Sequence, residues 1–267
     1  MVKSPIRFTK MHGLGNDFVI INAMGSSFDT TQFPIAQLSH RHTGIGFDQL
    51  LVIEPSQQAH FFCRIFNANG SEAEQCGNGL RCVARFIQEE GLYPTSSFNI
   101  ETKAGIFPVV IEKDGDIRVS MGPPTIQEKL IASPIKQDLT PLSMSILSLG
   151  NPHAIFKVPS VAVVSPDELG PQIASLAYFP HGANVGFMEV VDEKNLHLRT
   201  YERGVGETFA CGSNACAAVV AGILNGWLQH HVRVQFRYGT LSIEWEGGNA
   251  PVIMTGPAAR VFAGVVE

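Results

Sequence analysis

Glu72-Ala73-Glu74-Gln75-Cys76-Gly77 returns as Glu207-Thr208-Phe209-Ala210-Cys211-Gly212, an offset of 211 − 76 = 135 in a chain of 267 residues. Both stretches read Glu-x-x-x-Cys-Gly. Both open a helix-like run that closes on a glycine fifteen residues after the cysteine, Gly91 and Gly226. A motif repeated at about half the chain length signals a duplicated domain. One thiol per copy, each at a helix start, suggests two acid/base groups facing one cleft, the arrangement needed to invert a carbon centre.

The register holds outward from the cysteines. Gly15-Asn16 matches Gly150-Asn151, Arg64 matches Arg199 and Phe66 matches Tyr201. Gly46-Phe47 resembles Gly186-Phe187 with a local slip of five residues, and Gly105/Gly239 and Gly122-Pro123/Gly256-Pro257 follow at an offset of 134. Within each copy short apolar or alternating runs predict strands: 49–54, 61–66, 106–111 and 117–121, then 185–191, 196–201, 232–236 and 241–245. Gly and Pro punctuate them.

Helices are few. Leu80, Val83, Ala84 and Ile87 recur at helical spacing, so the segment after Cys76 reads as amphipathic. The run 215–224 is apolar on nearly every side, as in a helix buried within its domain. A third helix is expected over 166–177, with proline near its start. The fold class is therefore α+β, two pseudo-symmetric domains of strands wrapped around a central helix. The domains are placed at 1–123 and 124–267, the junction falling where Gly122-Pro123-Pro124 breaks the strand pattern.

Composition narrows the function. Hydrophobic residues make up 45% of the chain, enough for real cores, and the apolar run 216–224 is far short of the ~20 residues of a spanning helix. Residues 1–15 carry no signal or transit pattern, so a cytoplasmic protein without a membrane partner is the default expectation. A net charge of −5 argues against a nucleic-acid partner. Five cysteines without a C-x-x-C pair suggest reduced thiols, with no structural zinc or other metal expected. Cys63, Cys82 and Cys216 read as small core residues. The pairs Gly13/Gly15 and Gly44/Gly46 lack the third glycine of a dinucleotide fingerprint, and no pyridoxal-phosphate lysine or P-loop is evident. No cofactor is expected.

A thiol at a helix N-terminus meets unpaired backbone N–H groups and the positive end of the helix dipole. Both favour the thiolate and move its pKa toward the range of a general base. Gly77 and Gly212 leave the following amides open to an anion such as an α-carboxylate. The same donors would stabilise the charge that develops when the α-proton leaves. One thiolate would take that proton from one face while the opposing thiol delivers another. The two must start in opposite protonation states, which nearby charges have to arrange. Taken singly, Asn16 and Asn78 are more often turn residues than ligands, and His153 more often a structural histidine.

Several blocks together resemble the diaminopimelate epimerase family: His12-Gly-Leu-Gly-Asn16-Asp-Phe18, Thr43-Gly-Ile-Gly-Phe-Asp-Gln49, Phe66-Asn67-Ala-Asn-Gly-Ser-Glu72, Gln75-Cys76-Gly-Asn-Gly79, Gly150-Asn-Pro-His153, Asn184-Val-Gly-Phe187, Tyr201-Glu-Arg-Gly-Val-Gly-Glu-Thr208 and Ala210-Cys211-Gly-Ser213. They span the chain in order. The resemblance implies a pyridoxal-independent isomerase that interconverts LL- and meso-2,6-diaminopimelate, in the synthesis of lysine and of a peptidoglycan precursor. It implies Cys76 and Cys211 as the catalytic pair, and Gly77, Asn78, Gly212 and Ser213 around the reacting carboxylate. Asn16, Gln49, Asn67, Asn151, Asn184, Glu202 and Arg203 would line the rest, with His153 and Glu202 tuning the cysteines. It also implies a homodimer, and a C-terminal tail, about 257–267, that packs on the first domain. Two positions depart from the family pattern. Asn214 stands where glycine is usual, with an effect expected on helix entry rather than chemistry. Phe262 stands where tyrosine is common, near the surface associated with dimerisation.

The polar set fits a substrate carrying an amino-carboxylate at both ends: Arg203 for a distal carboxylate, Glu202 and asparagines for its ammonium. A shorter substrate would leave such groups unpaired. Rival readings are a proline or hydroxyproline racemase, a phenazine-biosynthesis-like isomerase of the same fold, and a non-catalytic amino-acid-binding or redox-sensing protein.

Overall fold

The computed structural model describes residues 5–25, 28–137 and 140–267. The chain divides into two compact units, one of Met1–Val119 with Gly256–Glu267 and one of Ser120–Thr255.

The first unit opens on a hairpin of Ile6–Gly13 and Asn16–Asn22, with Gly13 opposite Asn16. Its two-residue turn is Leu14-Gly15, at φ +56° and +90°. Positive φ at both central residues matches the twist of tightly connected strands. Asn16–Asn22 runs parallel to Gln49–Glu54, which pairs antiparallel with Phe61–Asn67. Beyond these come Ser97–Thr102, parallel to Phe61–Asn67, then Gly105–Ile111 and Ile117–Ser120, both antiparallel. Gln49–Glu54 is buried on both faces, which explains its unbroken apolar run. Leu50 and Val52 join Phe47 and Phe66 in one core, and Leu51 lies against Gly79 of the central helix Gly77–Glu89.

The second unit repeats this plan. Thr140–Ser148 pairs antiparallel with Pro152–Lys157, which runs parallel to Asn184–Asp192, itself antiparallel to Asn195–Glu202. His231–Phe236, Gly239–Glu244 and Ile253–Gly256 complete the series. The central helix is Gly212–Leu224, and a further helix, Pro166–Ala174, sends Ile173 into a core with Phe156, Phe179 and Phe187. It ends three residues before the expected Ala177, at a Ser175 cap.

Counted by the offset of 134, which sets residues 125–132 against 259–266 instead of breaking the copies at 123/124, one strand in each unit comes from the other copy of the sequence. Gly122-Pro123 leads into Thr125–Gln137, which pairs with Thr140–Ser148 of the second unit. The matching Gly256-Pro257 leads into Ala259–Val266, which returns to Ile6–Gly13 of the first. The two copies thus exchange their last strands. Gly264 makes this possible locally, since a Cβ there would meet the Phe8 ring at 2.6 Å.

Both central helices begin and end alike. Cys76 and Cys211 are the N-caps, in extended conformation. At the other end Gly91 (φ +62°) and Gly226 (φ +72°) adopt the left-handed conformation. Leu92 N–H bonds Ile87 C=O at 3.0 Å and Trp227 N–H bonds Gly222 C=O at 2.9 Å, closing a Schellman motif in each copy. The amphipathic reading of the first helix understates its burial. Residues 77–84 are all buried, Arg81 included. Among the described residues no helix is long and apolar enough to cross a membrane, and no cluster of three His, Cys, Asp or Glu side chains could hold a metal.

Candidate active site

The residues singled out in sequence occupy matching places in the two units. Phe18 registers with Gln49, and His153 with Asn184, both at an offset of 135. Gln49 is therefore equivalent to Asn184, and Gly186-Phe187 to Leu51-Val52 rather than to Gly46-Phe47. The apparent slip of five residues reflected a shared Gly-Phe dipeptide, not the strand register. Six pairs follow: Asn16/Asn151, Gln49/Asn184, Asn67/Glu202, Cys76/Cys211, Gly77/Gly212 and Asn78/Ser213. In each unit they gather at the start of two parallel strands, the end of a third, and the first turn of the central helix. Arg203 and His153 have unlike counterparts, Ala68 and Phe18.

In the first unit Cys76 Sγ accepts the Gly79 N–H at 3.4 Å and lies 3.9 Å from Asn16 Oδ1. Asn78 Nδ2 donates to that same Asn16 oxygen at 3.2 Å. Asn16 Nδ2 donates to Asp48 Oδ2 at 2.8 Å, and Gln49 Nε2 to Asn67 Oδ1 at 2.9 Å. Asp48 and Asp17 form a carboxylate pair spanned by Arg41, with the buried Lys10 ammonium 2.6 Å from Asp17. Although burial works the other way, the Arg41 and Lys10 hydrogen bonds hold Asp17 down at about 2. Burial, with the Asp17 charge beside it, pushes Asp48 up.

In the second unit Cys211 is buried, with Ser213 Oγ 3.4 Å from its sulfur. Burial raises the Cys211 thiol well above its ordinary range, and the Glu202 charge adds to the effect. The Ser213 hydroxyl and Asn214 amide pull the other way and lose. This runs against the expectation that a helix start favours the thiolate: at Cys211 removal from water raises the thiol. Glu202 accepts the Thr208 hydroxyl at 2.5 Å, and Asn184 Oδ1 accepts the Arg203 amide N–H at 2.9 Å. The Arg203 side chain is exposed and donates to His181 C=O at 3.1 Å. His153 is fully buried with Nε2 3.0 Å from Asn151 Oδ1, and burial brings its pKa down to about 4.

Some functional geometry escaped the sequence. Asn214 is fully buried and its amide donates to Val185 C=O at 2.9 Å and to the Thr200 hydroxyl. Its influence is therefore not confined to helix entry, because it ties the Cys211 helix to two strands. The glutamate of the duplicated motif is held by an arginine in both copies. Glu72 pairs with Arg64 at 3.2 Å and Glu207 with Arg199 at 2.7 Å, eight residues apart in both copies. The repeated Arg64 and Arg199 were the available signal. Cys63, Cys82 and Cys216 are buried and form no disulfide, and burial pushes Cys63 and Cys82 upward.

A sequence model of the family "Diaminopimelate epimerase" matches residues 8–127 and 145–261. The chain belongs to the diaminopimelate epimerase family. The diaminopimelate epimerase of Stutzerimonas stutzeri is 46% identical over 98% of this chain and 99% of its own length. Those of Nitrosomonas europaea and Pseudomonas aeruginosa are 44% and 45% identical over the same shares. Among solved structures, a Bacillus anthracis phenazine biosynthesis protein of the PhzF family superposes with a TM-score of 0.78 at 21% identity, covering 99% of this chain and 100% of that one. A hydroxyproline epimerase from Agrobacterium vitis gives 0.76 at 14% identity, covering 99% and 91%. At such identities the likeness shows the fold alone. That fold is the two-unit α+β arrangement of the diaminopimelate epimerase family.

Proposed function

We propose that this member of the diaminopimelate epimerase family interconverts LL- and meso-2,6-diaminopimelate, with Cys76 and Cys211 as its two acid/base groups and neither pyridoxal phosphate nor metal. The observation that carries the reading is the coincidence of six positions in both copies, five polar or thiol and one glycine, each set gathered about the cysteine at one helix start. In one direction the Cys76 thiolate takes the α-proton, leaving its bonding pair on the α-carbon and carboxylate. The Cys211 thiol then gives its proton to the opposite face, and the reverse reaction exchanges these roles. Amides of Gly77, Asn78, Gly212 and Ser213 would hold the carboxylate as its charge grows.

A symmetric pair of thiols has no reason to differ in protonation. The chain breaks the symmetry in the second unit, where Glu202 replaces Asn67, His153 replaces Phe18 and Arg203 replaces Ala68. The raised Cys211 supports its role as the proton donor at the start. Asn16, Gln49, Asn67, Asn151, Asn184, Glu202 and Arg203 would bind the rest of the substrate. His153 would tune the second half, neutral at working pH. A cytoplasmic homodimer completes the reading, supported by exposed Val261, Phe262 and Val265 on one strand.

The test is solvent exchange. In deuterated buffer, without added cofactor, LL-diaminopimelate should gain deuterium at one α-carbon as it becomes meso. Cys76→Ala and Cys211→Ala should each lower that rate by at least ~100-fold with the fold intact. Exchange into free proline but not diaminopimelate would move the assignment to a proline racemase. Full activity in either cysteine variant would end the two-base mechanism.

A further inference from the structure

The first unit contains a hydrogen-bond chain whose direction is set at both ends by charge. Arg81 Nη1 donates to Asn78 Oδ1 at 2.9 Å, Asn78 Nδ2 donates to Asn16 Oδ1 at 3.2 Å, and Asn16 Nδ2 donates to Asp48 Oδ2 at 2.8 Å. A guanidinium can only donate and a carboxylate only accept. Neither amide in between can therefore turn over without setting like groups against each other. The acceptor end is itself clamped. Asp48 Oδ1 takes Arg41 Nη2 at 2.7 Å, and Oδ2 also takes the Asp17 N–H at 3.2 Å. The donor end is buried, with Arg81 Nε on Pro257 C=O at 3.2 Å.

The consequence falls on the sulfur. With its NH2 committed to Asp48, Asn16 presents its oxygen to Cys76, 3.9 Å from Sγ and within reach of a thiol donor. The Gly79 N–H serves the same sulfur as thiolate. Cys76 therefore has a donor ready when it is ionised and an acceptor ready when it has gained a proton. A base that must hold an abstracted proton for part of each cycle needs both.

We propose that Asp48, acting through Asn16, is a positioning residue that keeps an acceptor oxygen against Cys76 and so sustains the basicity of that thiol. The role is peculiar to the first unit. Its counterpart Ala183 cannot do it, and the equivalent asparagine, Asn151, lies against His153 instead. The proposal rests on the reading of Cys76 as an acid/base group, yet its test does not depend on which substrate is turned over.

The charged groups around Asp48 are Asp17, Arg41 and Lys10, so the experiment must separate contact from field. The pH dependence of Cys76 alkylation by iodoacetamide, read by peptide mapping with Cys211 as internal comparison, gives the thiol's midpoint. In Asp48→Ala the Asn16 NH2 loses its acceptor and the side chain is held from the Asn78 end alone, and the Cys76 midpoint should fall by about half to one pH unit. Asp48→Asn, which keeps a carbonyl for the Asp17 amide, should move it the same way by less. Asp17→Asn removes a neighbouring charge that does not touch the Asn16 amide and should leave the midpoint near wild type. The Cys211 midpoint should stay in place throughout. An unchanged or raised Cys76 midpoint in folded Asp48→Ala overturns the proposal, as does an equal fall in Asp17→Asn. If Asp48→Ala shows no cooperative melt, Asp48→Asn decides by the same criterion.

Discussion

His153 and Phe18 hold the same place in the two copies, and their difference has a thermodynamic consequence. Burial brings the imidazole from an ordinary 6.5 to about 4. Below pH 6.5 the unfolded chain binds a proton that the folded ring refuses. The stabilising contribution is thus complete at pH 7 and is lost as pH falls from 6.5 toward 4, by about 3 kcal/mol. Asp17, held at about 2, acts in a separate window below its ordinary 3.8. His153→Phe should therefore flatten the fall in urea-unfolding free energy between pH 7 and pH 4 by about 3 kcal/mol. Identical pH profiles for the two proteins would show that the ring is not the titrating group. At this scale the two cysteines were legible because a local motif marks them. Asp48 and Arg81 stood in the sequence without a role, since Asp48 meets Asn16 from 32 residues away and Arg81 reaches Pro257 across 176.

At the scale of single elements, the Cys211 helix shows where propensity misleads. Gly222 lies inside it, where alanine should gain about 1 kcal/mol of helix propensity. A Cβ there, however, would meet Leu228 Cδ1 at 2.2 Å and Cγ at 2.7 Å, because the Schellman turn folds that side chain back on the helix. Gly222→Ala should cost about 1–3 kcal/mol in chemical denaturation; a stabilised variant would mean the turn relaxes freely. The two central helices were readable from their caps, N-terminal cysteine and C-terminal glycine. The helix from Pro166 was read three residues too long. Nothing local distinguished the tail of its apolar pattern from the turn that follows.

For the whole molecule, the duplication decides which residues travel together. Ala259–Val266 belongs by sequence to the second copy and by pairing to the first unit. It leaves Val261, Phe262 and Val265 exposed at 55%, 46% and 53%, with Phe262 edge-on to Phe8 at 6.0 Å. Exposed apolar side chains of that size on a single strand mark a surface that gains by being covered. If the proposed homodimer uses it, Phe262→Glu should give a folded monomer by light scattering where the wild type gives twice that mass. An unchanged mass would place any dimer contact elsewhere.

The sequence by itself determined the family, the duplicated plan and the two cysteines at the helix starts. Each of these is written in spacing: a motif, an offset, a glycine at a helix end. The tertiary structure decided that the copies exchange their last strands, that Gln49 and Asn184 are equivalents, and that Cys211 is buried beside a carboxylate while Cys76 sits between an amide N–H and an asparagine oxygen. Desolvation and the direction of a hydrogen bond depend on neighbours brought together across tens of residues, and no local pattern encodes them.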